Sequence, residues 1–468
     1  MKIADIHTPV KAAWLAEQGL RLDPRPYVSE AFQAGKALER MPGTMPLAEV
    51  SERIFHPGIS SRHWTTDQEH GVPFLGSAAI FQADLSHVPM ITKDSFTKTR
   101  DLALEPGWTL ITRSGMSAGR ITCSRPDMDG QACSEHVMRV VPDTNRIPAG
   151  YLYAFLVSPY GKPIVQSRVY GTSIKHLEAR HVADIPIPRF GAELEDKVDG
   201  LMQQSLKLRS QVQANLVSAT EDLFRSAGMA DLINFNWHGH RRDLDFSVRS
   251  LRSRSFRALN YSPRSRALLS QLGSVPHVTL GDLCAGGLLS TGKRFKRVEA
   301  TPKEGVRLIG QRQAFWSRPY GRWINPLQAP SDIRPPDETV LVAAHGTLGE
   351  REVYGRSILV TGNWLQHAFG QDFLRVRSKD EGFPGAYLFA FFRSEVAFRI
   401  LRSMSVGGKQ QEYHPELLRS LPVPECTPED RQRIADTVRQ AYRWRDEADM
   451  REDEALSLVE EAVRETAG

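Results

Sequence analysis

The chain repeats itself. Residues 148–155 read PAGYLYAF and residues 384–391 read PGAYLFAF, identical at five of eight positions at an offset of 236. The same offset carries IPIP (185–188) onto LPVP (421–424), VMRV (137–140) onto FLRV (373–376), Gly171 onto Gly407 and RLDPRPY (21–27) onto RALNYSP (257–263). Loop insertions shift it slightly where LITRSGMSAG (110–119) resembles LVAAHGTLG (341–349) and FLGSAAIF (74–81) resembles LIGQRQAF (308–315). Ordered matches at a nearly constant offset make the chain a duplication of one unit of about 230 residues. No other feature constrains the fold as much, because each copy must then build the same structure.

Each copy divides into two parts. The first holds short β-like runs, WTLIT (108–112), HVMRVV (136–141), TVLVAA (339–344) and DFLRVRS (372–378), bounded by Gly, Pro and Ser. YLYAFLVS and YLFAFFRS, with the segments after them, read as short helices packed on a sheet, which predicts a compact α+β domain in each half. The second part is a helix of about 37 residues, roughly 55 Å long at 1.5 Å per residue. Leu194, Val198, Leu201, Leu208, Val212, Ala219 and Leu223 recur at steps of three and four in one copy. Ile434, Val438, Ala441, Ala448, Ala455, Val459 and Ala462 do so in the other. Thr427-Pro428-Glu429-Asp430 is a helix start: a capping hydroxyl, proline at the first position, then acids at the positive dipole end. Such seams want a partner helix, most simply each other. The expected layout is two homologous α+β domains, residues 1–190 and 229–426. Two long antiparallel helices, residues 191–228 and 427–468, separate them and form a coiled coil.

Composition limits the function classes. With 468 residues, 41% hydrophobic and 25% charged, the chain falls among globular proteins. No run of 18 apolar residues predicts a membrane span, and the first residues lack the apolar stretch of a secretion signal. The four cysteines (Cys123, Cys133, Cys284 and Cys426) form no CxxC pair, so a cytoplasmic protein without disulfides or zinc is expected. The net charge of +5 conceals a segregation: residues 241–320 hold 16 Lys/Arg against 5 Asp/Glu, whereas residues 425–468 hold 7 against 13. The basic block points to a polyanionic partner.

The order domain, helix, domain, helix, with homologous halves, resembles the specificity (S) subunit of type I restriction–modification systems, over nearly the whole chain. Family target-recognition domains carry a strand followed by a glycine turn. That motif is matched here by WTLITRSGMSAG and TVLVAAHGTLG, the second lacking the arginine and having Ala344-His345 in place of Arg113-Ser114. They also end in a Gly-[Ser/Thr] segment leading to Ile-Pro-x-Pro before the helix. Gly171–Leu177 running on to Ile185–Pro188, and Gly407–Tyr413 running on to Leu421–Pro424, are similar to it. The resemblance implies a DNA-reading adaptor without catalysis of its own, its two target-recognition domains reading the halves of a split double-stranded site and its paired helices setting the gap. It further implies docking of two adenine-N6 methyltransferase subunits and, in full systems, a nuclease/translocase subunit. S-adenosylmethionine is then expected on the methyltransferase, with no cofactor or metal on this chain and no membrane partner.

Candidate DNA-binding residues follow from residue type and place. Arg113, Ser114 and Ser117 lie on the first glycine turn, where the reading stays open between DNA contact and a plain structural turn. Thr172, Ser173, Lys175 and His176 form a polar loop that suits DNA or solvent equally. In the second copy, Lys293, Arg294, Lys296 and Arg297 make a dense basic loop suited to phosphate. Gln311, Arg312 and Gln313 follow an apolar strand and suit base edges or hydrogen bonds across the domain. Lys409, Gln410 and Gln411 occupy the slot of the first copy's polar loop, and His345 and Thr347 lie on the second glycine turn. The arginines from Arg249 to Arg266 suit either phosphate or a partner protein.

Catalytic motifs are missing from the sequence. Asn325-Pro326-Leu327 fails the NPPY pattern of an adenine methyltransferase, and no GxGxxG, GxxxxGK[ST] or HExxH occurs. His56, His63 and His70 recur every seven residues, but in a Pro/Gly/Ser-rich stretch unlike a helix. Two rival readings remain: a nuclease or modification enzyme with unrecognised catalytic residues, and a coiled-coil interaction scaffold that binds no DNA.

Overall fold

The structure is a computed structural model that describes residues 10–17, 22, 27, 30–171, 175–251 and 255–467. It is an α+β protein with two compact units. One comprises residues up to Phe81, Val88–Ser210 and Glu447 onward; the other comprises Gln82–His87 and Gln211–Asp446. Both long helices, Ala192–Ser226 and Pro428–Ala467, contribute residues to each unit. The compact units therefore cut through the helices, where the sequence reading set the helices apart from the domains.

The first unit is built on a four-stranded antiparallel sheet ordered Ser51–Phe55, Val137–Pro142, Thr109–Thr112, Ile121–Cys123. The second has the same sheet in the same order: Leu288–Thr291, Phe373–Arg377, Thr339–Ala343, Ser357–Val360. Parallel pairs match too, Phe74-Leu75 with Ala132-Cys133 and Leu308-Ile309 with Ala368-Phe369. The repeated words fill the same roles. PAGYLYAF and PGAYLFAF form the buried helices Ala149–Val157 and Gly385–Phe392. Tyr151 donates its hydroxyl to Pro188 O at 2.6 Å, and Tyr387 does the same to Pro424 O at 2.7 Å, pinning each helix to its IPIP-type strand. Arg139 and Arg375, one offset apart, are both buried in the central strands; Arg139 donates to the carbonyls of Cys133, Ser134 and Val137, and Arg375 to that of Phe369. Buried carbonyls need donors, so the arginine serves the fold in both copies.

The long helices pair in each unit. In the first, Ser205 Oγ donates to Ala448 O at 2.8 Å, and Arg209 reaches Asp449 and Glu452, both at 2.7 Å. In the second, Arg433 holds Asp222 at 2.9 Å. The early part of one helix thus meets the late part of the other, an antiparallel pairing. Thr427 caps its helix as its sequence predicts, its hydroxyl accepting from Asp430 N at 3.2 Å. The buried surface is broader than a coiled-coil seam. Val198, Leu201, Val212, Leu223, Ile434, Val438, Ala441, Ala448, Ala455 and Val459 are buried, but so are Met202, Leu206, Leu216, Phe224, Ala435, Tyr442 and Val463, while Leu194 and Leu208 are only half-buried. Each helix packs on a domain core as well as on its partner, as the hydrophobic cluster that joins helix and domain in each unit shows. Asp199 accepts from Gly150 N, and Leu216 O from Arg393, so domain and helix are stitched by hydrogen bonds as well.

All four cysteines are buried. Burial pushes the Cys133 and Cys284 thiols up to about 11, so they behave as small apolar residues. No helix of the described residues is long and apolar enough to cross a membrane.

Candidate functional site

In each half, the turn that follows the second sheet strand is tied to the loop that precedes the last short helix. In the first half, Arg113 N donates to His136 O, Leu177 N to Arg113 O and Gly115 N to Lys175 O, all within 2.8–3.0 Å. Ser114 bridges His176, and its hydroxyl lies 2.7 Å from His136 Nδ1. Arg113, Ser114, Lys175 and His176 are thereby brought together. The Arg113 guanidinium bonds Glu178 at 2.5 Å. Burial works to raise the Glu178 carboxyl, but Arg113 and then His56 outweigh it and hold the group below the usual carboxylate range. Arg113 therefore joins turn to loop. Ser117 is half-buried, its carbonyl accepting from Thr112 Oγ1, and Met116 beside it is exposed. Thr172 and Ser173 lie outside the described residues.

The second half repeats the tie with different residues. Gly346 bridges Gln411, whose N donates to Gly346 O at 2.9 Å. Gln311 grips the His345 backbone from both sides: its Nε2 donates to His345 O at 2.7 Å and its Oε1 accepts from His345 N at 3.3 Å. Gln311 is thus occupied inside the domain, the second of the two roles its sequence allows. Gln313 accepts from Gly310 N at 3.0 Å, and Gln411 is buried with its amide on Gly408 O. Gly171 and Gly407 both have φ above +90°, a backbone glycine favours, at the entry to these loops.

The exposed candidates of the second half are mainly basic. Lys293, Arg294, Lys296, Arg297, Lys409, Gln410 and Thr347 are exposed. Arg297 lies 3.7 Å from Asp372, and Arg312 pairs with Glu352 at 3.2 Å. His345 stands between two carboxylates, Nδ1 at 3.7 Å from Asp372 and Nε2 at 3.6 Å from Glu412. Two cavities flank this point. One, of about 390 Å³, is lined by Arg297, Gln311, Gln313 and Asp372. The other, of about 400 Å³, is lined by Arg294, His345, Glu412 and Arg419. The exposed basic loop, the second glycine turn and the second-copy polar loop therefore converge. Asp372, Glu412 and Arg419 belong to the same place and were not singled out from the sequence. The available signal was acids within a basic stretch, which does not separate a site from a neutralising surface pair.

Among the described residues no group of three or more His, Cys, Asp or Glu could hold a metal. His63 and His70 serve local contacts, His63 N donating to Ser95 Oγ and His70 lying 2.8 Å from Asp67.

No protein-family model matches the sequence, and no curated protein matches it. Solved structures do. The chain is similar over 91% of its length to a type I restriction–modification system S subunit from M. genitalium, with 96% of that chain covered, 10% identity and a TM-score of 0.40. It is similar over the same share to the HsdS subunit from Thermoanaerobacter tengcongensis, with 97% of that chain covered, 13% identity and a TM-score of 0.27. A chain from a structure of type I R-M complex assembly and conformational transition matches at 13% identity and a TM-score of 0.26, with 98% of that chain covered.

Proposed function

We propose that the chain is a non-catalytic DNA sequence-recognition subunit of a type I-like restriction–modification or methylation-associated defence complex, working in the cytoplasm. One observation carries the reading: each half builds the same turn-to-loop tie on the same sheet, but lines it with different side chains. Two copies of one scaffold with different surface residues suit two different halves of one split site. In the second half the exposed Lys293, Arg294, Lys296, Arg297 and Lys409 suit phosphate, whose contacts position a protein without reading sequence. Base edges are then read by the side chains between them. Two linked half-sites make the second contact intramolecular, so modest individual contacts give useful affinity. The paired helices, acidic toward the C-terminus, suit protein partners: two adenine-N6 methyltransferase subunits carrying S-adenosylmethionine, and a nuclease or translocase subunit.

The test is selection from a pool of random duplexes by the full chain with a methyltransferase subunit. Two short sequence blocks separated by a fixed unspecified gap are expected. Recovery of unenriched sequence would overturn the reading, and cleavage or methylation by the purified chain alone would favour an enzyme.

A further inference from the structure

On a surface that faces DNA, a carboxylate is repelled by phosphate unless it has a cation of its own or meets a donor. Asp372 has Arg297 at 3.7 Å. Among the described residues Glu412 has no ion pair with a Lys or Arg: its side chain is 64% exposed and lies 3.6 Å from His345 Nε2. Yet it lines the cavity of about 400 Å³ whose rim carries Arg294 and Arg419, and whose walls include Leu289 and Tyr413. That volume lies within the range of small-molecule sites, about 300–1,000 Å³. Apolar walls suit the non-polar part of a base edge, the two guanidiniums suit flanking phosphates, and the carboxylate suits a donor on that edge. Only adenine and cytosine present an amino donor in the major groove.

We propose that this cavity takes the major-groove edge of a nucleobase bearing an amine there, adenine or cytosine, and that Glu412 accepts the hydrogen bond from that amine. His345 is a positioning residue: Gln311 fixes its backbone, and its ring spaces Glu412 from Asp372. The proposal rests on the DNA-recognition reading.

The experiment uses the full chain and the duplex it selects. Each adenine is replaced in turn by purine, and each cytosine by 2-pyrimidinone, which lack the amine. Loss of the amine at one position should weaken binding about tenfold, within the discrimination of a good base contact. Whether that position holds the purine or the pyrimidinone tells adenine from cytosine. Glu412→Ala should bind the intact duplex with the same loss and be indifferent to the deletion, and Glu412→Gln, which keeps one acceptor oxygen, should retain part of the discrimination. If Glu412→Ala remains as sensitive as the native chain to every amine deletion, the proposal is overturned while DNA recognition stands. If no duplex is selected at all, both fall.

Discussion

His87 is half-buried in the second unit beside Asp84, Arg356, Arg393 and Glu395. Burial, and then the Arg356 charge, lower its pKa to about 4 despite the carboxylates on either side. An ordinary histidine in the unfolded chain titrates near 6.5. Between these values the unfolded state binds the extra proton, so stability falls as pH falls through that window. The loss by pH 5 is about 2 kcal/mol. Glu395, also held down to about 2 against its burial by Arg356 and His87, adds its own loss only below about 4.5. Hydrogen exchange of the second unit at pH 7 and pH 5 checks this. His87→Gln should flatten the difference, and a native chain equally protected at both values would mean that the ring is charged in the fold. Single residues were the least legible level of the sequence. Tyr151 and Tyr387 stand out in the repeated words, but their partners, Pro188 and Pro424, lie 37 residues away. Gln311 and Gln411 look like base readers by type, and their amides are taken by His345 and Gly408, neighbours that only the folded chain supplies.

At the scale of elements the sequence was far more legible, because periodicity and caps are local. The helix ends fall within three residues of those read from the pattern, and the four β-like runs are the central strands. Missed was the width of the buried helix face, since heptad steps report one neighbour and these helices have two. That difference makes a prediction. Arg209, Asp449 and Glu452 lie between the paired helices, and the Arg209 and Glu452 side chains are each 8% exposed. Arg209→Ala would remove a buried cation from Glu452, at a cost of about 3–5 kcal/mol. The solvent-exposed Arg433–Asp222 pair joins the same two helices in the second unit, and Arg433→Ala should cost no more than about 1 kcal/mol. Exchange protection of the amides in residues 447–460 should drop in the first variant and stay unchanged in the second. Equal behaviour of the two would mean that water reaches the Arg209 site.

At the scale of the whole molecule the repeat predicted two copies of one fold, and matching sheet orders bear that out. The small net charge gains a physical reading from the same comparison. The excess of cations is not spread over both copies: the second carries the exposed Lys293, Arg294, Lys296 and Arg297 loop, and the positions one offset earlier, 57–61, read PGISS without a charge. If the proposed function holds, phosphate affinity is carried unequally by the two copies. Each neutralised phosphate contributes about −0.9 to the slope of log K against log salt. Replacing all four basic residues with Gln should therefore make that slope shallower by up to about 3.6 while leaving the selected sequence blocks unchanged, because phosphate contacts hold register without reading bases. Binding of one selected duplex across a salt series gives the slope, and repeated selection gives the blocks. An unchanged slope would place these cations away from DNA. A changed sequence preference would make the loop a reader of bases, and the division of labour between it and the Glu412 cavity would have to be redrawn.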